Sequence, residues 1–300
     1  MMKRRDFLAS TAACAAGMGV GHLAEAASSK HITILHTNDT HSRIDPFSRG
    51  RYKGLGGVAR RASLINKVRT QQPHTLLVDA GDIFQGTPYF NAFRGTLELR
   101  LMSQMKYDVA TIGNHDFDLG ADWFVEAAGK FANFPFVSSN LFFAQKGADK
   151  IIHPYLTKTV AGKKIGFFGL GIAFKGLVEA RLHRGVKHVE PISVARRMVN
   201  ILRKQEKCDV VVLLSHIGYR GFHGQPGDVD LAKKVPGIDL IIGGHTHTFL
   251  HKPTLITSST GHVTWIFQVG HSGIYLGQID LHFPASGGLQ VKQQVHTVGH

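Results

Sequence analysis

Five aliphatic runs in this chain each end on a short polar cluster. The runs are Ile32-Thr33-Ile34-Leu35, Thr75-Leu76-Leu77-Val78, Val109-Ala110-Thr111-Ile112, Val210-Val211-Val212-Leu213-Leu214 and Ile238-Asp239-Leu240-Ile241-Ile242. The clusters that follow are Asn38-Asp39-Thr40-His41, Gly81-Asp82, Gly113-Asn114-His115-Asp116, Ser215-His216 and Gly243-Gly244-His245-Thr246-His247. Near-continuous aliphatic runs mark strands buried on both faces. In open α/β sheets, ligands gather outside the carboxyl ends of the strands. The pattern therefore predicts that the clusters, far apart in sequence, meet at one edge of one sheet.

Helical patterns fill the gaps between the strands. Residues 56–71 place Val58, Ala62, Leu64, Ile65 and Val68 on one face, with Arg60, Arg61, Lys67 and Arg69 expected outside. Further helices are expected around 96–106, 120–131 and 191–207, the last opened by Pro191. Strands are expected at 108–112 and 136–139, and a hairpin at 155–170 turning at Ala161-Gly162-Lys163. The end of the chain is strand-rich, at 264–269 and 275–283. Alternation early and extra strands late predict an α/β fold, a four-layer α/β/β/α sandwich of two mixed sheets. Segments 44–55 and 218–230 read as loops that border the clusters.

The hydrophobic content of 43% in 300 residues supplies a sizeable core. The net charge of +14 suits an anionic ligand. It equally suits a membrane face or a solvated basic surface. The basic residues are spread along the chain without a basic-aromatic stripe, so no nucleic-acid partner is expected. Lys3-Arg4-Arg5-Asp6-Phe7-Leu8, the weakly apolar Ala9–Val20 stretch and Ala24-Glu25-Ala26 follow the order of a twin-arginine export signal. Residues 1–26 are accordingly expected to be a signal peptide, 27–300 one catalytic domain, and the location periplasmic. No run is long enough to span a membrane. Cys14 falls within the signal, and Thr11-Ala12-Ala13 before it lacks the large aliphatic residue of a lipobox, so a lipid anchor there is not expected. Cys208 then has no intramolecular partner and reads as a small apolar filler before a strand.

The clusters carry chemistry. In Asp39-Thr40-His41 the i, i+2 spacing puts a carboxylate and an imidazole on one side of an extended chain. His245 and His247 repeat that spacing after two glycines. Each motif alone is also compatible with an ordinary polar turn. Together they offer hard oxygen and borderline nitrogen donors without sulfur, a set suited to Zn, Mn, Fe or Co in an open catalytic site.

The order D-x-H, G-D, G-N-H-[DE], H, G-H-x-H resembles the calcineurin-like metallophosphoesterase superfamily. The strings Ile34-Leu35-His36-Thr37-Asn38-Asp39-Thr40-His41, Gly56-Gly57-Val58-Ala59-Arg60 and Gly113-Asn114-His115-Asp116-Phe117-Asp118 are similar to the N-terminal, catalytic domain of the bacterial 5′-nucleotidase family. The resemblance spans nearly all the chain after residue 26. It implies two divalent metal ions. Asp39, His41 and His247 would hold one, Asn114, His216 and His245 the other, and Asp82 would bridge them. It also implies that His115, steered by Asp118, stabilises the transferring phosphoryl group or protonates the leaving oxygen, with Asn114 and His115 contacting substrate. Asp116 is expected to be structural, and Ser42 stands where many relatives carry Gly. The surplus positive charge over Asp39, Asp82 and a shared hydroxide would favour a phosphate and its transition state.

The resulting expectation is a metal-dependent phosphomonoesterase acting on nucleotides. A phosphodiesterase or pyrophosphohydrolase on cyclic nucleotides or nucleotide sugars, a sugar phosphatase, and a non-catalytic metal or phosphate binder remain open. Long members of the family carry a second domain that grips the nucleobase. Because this sequence stops at His300, a separate polypeptide supplying that domain is a further expectation.

Overall fold

A computed structural model describes residues 30–221 and 224–299. The expected signal peptide and Cys14 lie outside the described residues. In chain order the elements are β1 (Lys30–Thr37), α1 (Val58–Gln71), β2 (Thr75–Asp79), α2 (Pro88–Phe93), α3 (Thr96–Gln104), β3 (Val109–Ala110), α4 (Ala121–Phe131), β4 (Phe136–Val137), β5 (Leu141–Phe143) and β6 (Ile152–His153). There follow β7 (Tyr155–Val160), β8 (Lys163–Gly171), β9 (Val186–His188), α5 (Pro191–Asn200), β10 (Val210–His216), α6 (Asp228–Lys234), β11 (Leu240–Gly243), β12 (Thr254–Thr257), β13 (Val263–Phe267), β14 (Tyr275–Phe283) and β15 (Gln290–Thr297).

Two large mixed sheets form, in the orders β15-β14-β1-β2-β3-β4-β6 and β12-β13-β11-β10-β8-β7, with a small β5-β9 ribbon beside them. Within the first, β1, β2, β3, β4 and β6 are parallel; within the second, β8, β10, β11 and β13 are. Side-chain alternation sorts the core into layers. Ile32, Ile34, Leu76 and Val78 of the first sheet meet Phe167, Val210, Val212 and Ile242 of the second. Leu35, Leu77 and Ala110 face outward onto Ile65 of α1, Leu99 of α3 and Phe124 of α4. Phe168, Val211, Leu213 and Ile241 face outward onto Val194 and Met198 of α5 and Leu231 of α6. These are the four layers of an α/β/β/α sandwich. Each fully buried Ile, Leu or Phe contributes roughly 1.5–3 kcal/mol by leaving water, so the packed faces fix how the sheets sit.

Local signals explain several boundaries. Glu190 caps α5 by accepting from the N–H groups of Ile192 (2.9 Å) and Ser193 (2.8 Å), ahead of Pro191. The helix continues as a looser π turn over Ile201–Gln205. The β7–β8 hairpin turns on Ala161 (φ 48°) and Gly162 (φ 70°), both left-handed as the favoured two-residue hairpin turn requires. Cys208 is buried against the outer face of the second sheet, as its apolar reading anticipated.

Some expectations are corrected. Arg61 is buried, not outside: with Val58, Ile65 and Val68 it lies on one helical face, and its charge misdirected the reading. The strand expected over 108–112 pairs only at Val109–Ala110. Helix α6 starts inside the segment read as a loop, and α2 and β15 had no expectation. Strand β15 sits at a sheet edge and is largely polar, so it lacks the aliphatic signal. No helix among the described residues is long and apolar enough to cross a membrane.

Candidate metal centre

The clusters meet where the two sheets abut, not on one sheet. Asp39, His41, Asp82 and Asn114 follow β1, β2 and β3 of the first sheet, while His216, His245 and His247 end or follow β10 and β11 of the second. Asp39 is the seam: both its carboxylate oxygens accept from the backbone N–H of His245, at 3.0 and 3.1 Å. Asn38 holds that carboxylate from behind, donating Nδ2 to Asp39 Oδ2 at 2.6 Å while its Oδ1 accepts from Val269 N.

Two donor groups result, Asp39 with His41 and His247, and Asp82 with His216 and His245, each with its ligand atoms within 4.8 Å of one another. Inside the first, His41 Nε2 is 3.0 Å from His247 Nε2, and His247 Nε2 is 3.4 Å from Asp39 Oδ1. Inside the second, His216 Nε2 is 3.1 Å from Asp82 Oδ2, and Asn114 Oδ1 adds itself 2.8 Å from His245 Nδ1. Ligands bonded at about 2.1 Å to one cation lie roughly 3.0–3.4 Å apart, so these gaps fit edges of a coordination shell. Asp82 Oδ2 is also 3.9 Å from His41 Nε2, which puts it within reach of both groups.

The rings are aimed by carbonyls. His216 Nδ1 donates to Ala80 O at 2.6 Å and His41 Nδ1 to Phe84 O at 3.3 Å, leaving Nε2 of each ring facing the donor groups. Such outer hydrogen bonds are the usual support of metal-binding histidines. His216 Nε2 is fully buried and has no hydrogen-bond partner among the described residues, despite its closeness to Asp82. Burial alone would lower its basicity, yet Asp82 and Asp39 raise it to about 10. Burial opposes ionisation of Asp82, but His216 and His41 hold its carboxyl well below the usual range. Burial, then the charge of His216, lowers His245 to about 4. The two buried carboxylates thus draw positive charge, onto His216 in the chain alone, and together with the nitrogen donors they fit a pair of divalent cations.

Close backbone approach makes this possible. A Cβ on Gly113 would lie 2.2 Å from Asp82 Oδ1, and one on Gly244 2.8 Å from both Ala80 O and His216 Nδ1. Asp39, His41, Asp82, His245 and His247 all adopt left-handed backbone, with φ between 47° and 71°. Strain of order 1–3 kcal/mol per residue, gathered at one place, is characteristic of functional sites. Ser42 shares the conformation (φ 50°), one that glycine adopts without strain.

His115 stands beside the donors without joining either group. It opens a short 3-10 turn, its ring centroid 5.4 Å from that of His41. Its Nδ1 is 3.1 Å from Asp118 Oδ2, and that contact holds the imidazole above its ordinary value against the opposing effect of burial. Asp116 is structural in a specific way. Its carboxylate accepts from four backbone N–H groups, those of Asp82, Ile83, Phe84 and Gly113.

Both bordering loops are in place. Tyr52 packs edge-on to His271, whose ring lies 4.9 Å from that of His247. Tyr219 N donates to Thr246 Oγ1 at 3.1 Å. His271 and Gln268, which accepts from Thr248 N and donates to Gly244 O at 2.9 Å, escaped the sequence reading because they follow a strand without a recognisable motif.

The sequence profile of the calcineurin-like phosphoesterase family matches residues 32–249. The chain is 32% identical over 290 residues to the trifunctional nucleotide phosphoesterase protein YfkN of Bacillus subtilis, covering 86% of this chain and 18% of that protein. It is 34% identical over 286 residues to the snake venom 5′-nucleotidase of Crotalus adamanteus, covering 88% of this chain and 47% of the relative. The crystal structure of a 5′-nucleotidase precursor from Thermus thermophilus superposes with a TM-score of 0.79 at 30% identity, over 89% of this chain and 54% of that one. The chain therefore spans about half the length of the 5′-nucleotidases it matches, and less of the Bacillus protein. With the profile running from the first strand through the His245–His247 cluster, the chain belongs to the calcineurin-like phosphoesterase family.

Proposed function

We propose that this chain is a metal-dependent phosphomonoester hydrolase acting on nucleotides. The observation that carries the reading is the pair of donor groups meeting at Asp82, with the His115–Asp118 pair beside them and outside both. Asp39, His41 and His247 would hold one divalent ion, Asn114, His216 and His245 the other, and Asp82 would share both. Such ions, when bound, supply Lewis acidity at a phosphoryl oxygen and a nucleophilic water near neutral pH.

The chain's own residues do the rest. Asn38 and the N–H of His245 fix Asp39, and Ala80 O and Phe84 O fix His216 and His41, so little reorganisation is needed when charge develops. Asp118 keeps a proton on His115 Nδ1, and the opposite nitrogen of this ring, which packs edge-on to His41, delivers a proton to the leaving oxygen or a hydrogen bond to the phosphoryl group. Asn114, next in sequence, contacts the same phosphoryl group.

We further read residues 1–26 as a twin-arginine signal and 27–300 as the catalytic domain, which places the reaction in the periplasm. Relatives named 5′-nucleotidase favour nucleoside monophosphates as substrates. The name trifunctional nucleotide phosphoesterase on one relative favours testing phosphodiesters alongside them. The test is phosphate release by the purified chain from nucleoside monophosphates, cyclic nucleotides, nucleotide sugars and sugar phosphates, with Mn or Zn and after chelation. Hydrolysis of nucleoside monophosphates that chelation abolishes and metal restores is expected. No turnover with any metal would leave a binder.

A further inference from the structure

A cleft of about 680 Å³ opens beside the His115–Asp118 pair, and neither donor group contributes a residue to it. One wall is the turn from Gln85 into α2, including Asn91; the other is the segment from Leu177 to Leu182; Asp118 is shared between the cleft and His115. Both walls are tied to the site. Gln85 and Gly86 are left-handed (φ 70° and 110°), and a Cβ on Gly86 would lie 3.1 Å from the carbonyl of His41, so this turn is pressed against the metal-centre backbone. The opposite segment is anchored by Leu182 O, which accepts from Ala121 N at 2.8 Å. It is also held by Phe174, whose ring meets Phe117 edge-on at 4.9 Å. Phe117 lies between Asp116 and Asp118 in sequence.

The volume falls in the range of small-molecule clefts, roughly 300–1,000 Å³, and far exceeds what a phosphoryl group needs. The lining is rich in acceptors: the carboxylates of Asp118 and Glu179 and the amides of Gln85 and Asn91, with Leu177 and Val178 as an apolar strip. Arg181 is the one cation among the lining residues, and it is spent on Glu179 at 2.7 Å. Acceptors favour hydroxyl donors, and with Arg181 spent on Glu179 the lining residues offer no unpaired cation to a further phosphate.

We propose that this cleft receives the leaving alcohol of the phosphoester, and that it selects a neutral, hydroxyl-rich group such as a nucleoside over an anionic one. The inference rests on the phosphoesterase reading. A leaving oxygen protonated by His115 must carry its alcohol past that ring, and the cleft reaches His115 through Asp118, which lines the cleft and bonds the ring.

Adenosine, a product that cannot react, probes the cleft separately from catalysis. Calorimetric titration of the full chain should show adenosine binding, and Asn91→Trp, a change on the exposed face of α2, should weaken it at least about tenfold. The same variant should lower the kcat/KM ratio of AMP to methyl phosphate at least about tenfold, through KM. Glu179→Lys should raise kcat/KM for release of the terminal phosphate of ADP relative to AMP. Adenosine binding that ignores Asn91→Trp, or an equal loss on AMP and methyl phosphate, overturns the cleft as the alcohol site. Adenosine binding lost in the variant, in a chain that turns over no phosphomonoester, overturns the leaving-group role and the hydrolase reading together while placing a nucleoside in the cleft.

Discussion

The backbone N–H of His115 donates to Asp82 Oδ1 across 2.8 Å. One oxygen of the central carboxylate is thereby committed to the turn that carries His115, and the other is left facing His216 at 3.1 Å. The residue proposed to hold both cations also sets the position of the residue proposed to move the proton.

Asp82→Asn separates these two duties. The amide oxygen can still accept from His115 N, so the fold and the His115 turn should persist. An N–H donor then faces His216 and His41 where a carboxylate stood. Affinity at both metal positions should fall at least about 10²-fold, beyond the loss from an outer-shell change. Elemental analysis that finds one ion still tightly held would rule out a bridge.

His115→Ala should leave both metals in place, because neither donor group includes its ring. Turnover should fall ~10²–10⁴-fold, the range for removing a general acid or base. A drop in bound metal parallel to the drop in turnover would assign His115 to the wrong role.

Asp116→Asn should act on the fold. Four backbone N–H groups converge on this carboxylate, two on each oxygen. An amide can accept from one pair and turns an NH₂ toward the other. Leaving two buried donors without acceptors costs about 2–6 kcal/mol, and denaturant unfolding should record a loss on that scale. An unchanged midpoint would show that the turn does not depend on these bonds.

Asp79 gives a pH signature. Burial pushes its carboxyl up to about 7, against hydrogen bonds from Thr37 Oγ1 and Gly81 N that favour the anion. A carboxyl raised above its unfolded value stabilises the fold most when protonated. Its contribution is complete below pH ~4 and is lost as pH rises to about 7, with a flat line above. Relative to Asp79→Asn, the parent chain should lose up to about 4 kcal/mol across that window, since each pKa unit is worth ~1.36 kcal/mol. Parallel stability curves for the two proteins would show Asp79 titrating normally.

Much of this was legible in the chain. The aliphatic runs located β1, β2, β10 and β11, because a strand covered on both faces has little choice but Val, Ile and Leu. The polar residues beyond them were conspicuous against that background, so Asp39, His41, Asp82, Asn114, His216, His245 and His247 could be named before any contact was known. Arg61 shows the limit of the same logic. Its spacing from Val58, Ile65 and Val68 marked the buried face, but a guanidinium reads as exposed until Asp79 and Tyr107 are seen nearby.

The sequence by itself named the candidate donors, the main aliphatic strands and the layered class of fold, because hydrophobic period and residue chemistry are local properties. Only the tertiary structure decided that the donors come from two sheets, that Asp39 and His245 are joined across them, that Asp116 gathers four N–H groups, and that a cleft lies beyond His115. Strand partners and left-handed turns are set by packing between segments more than two hundred residues apart, such as Asp39 and His245, and no window of sequence contains that information.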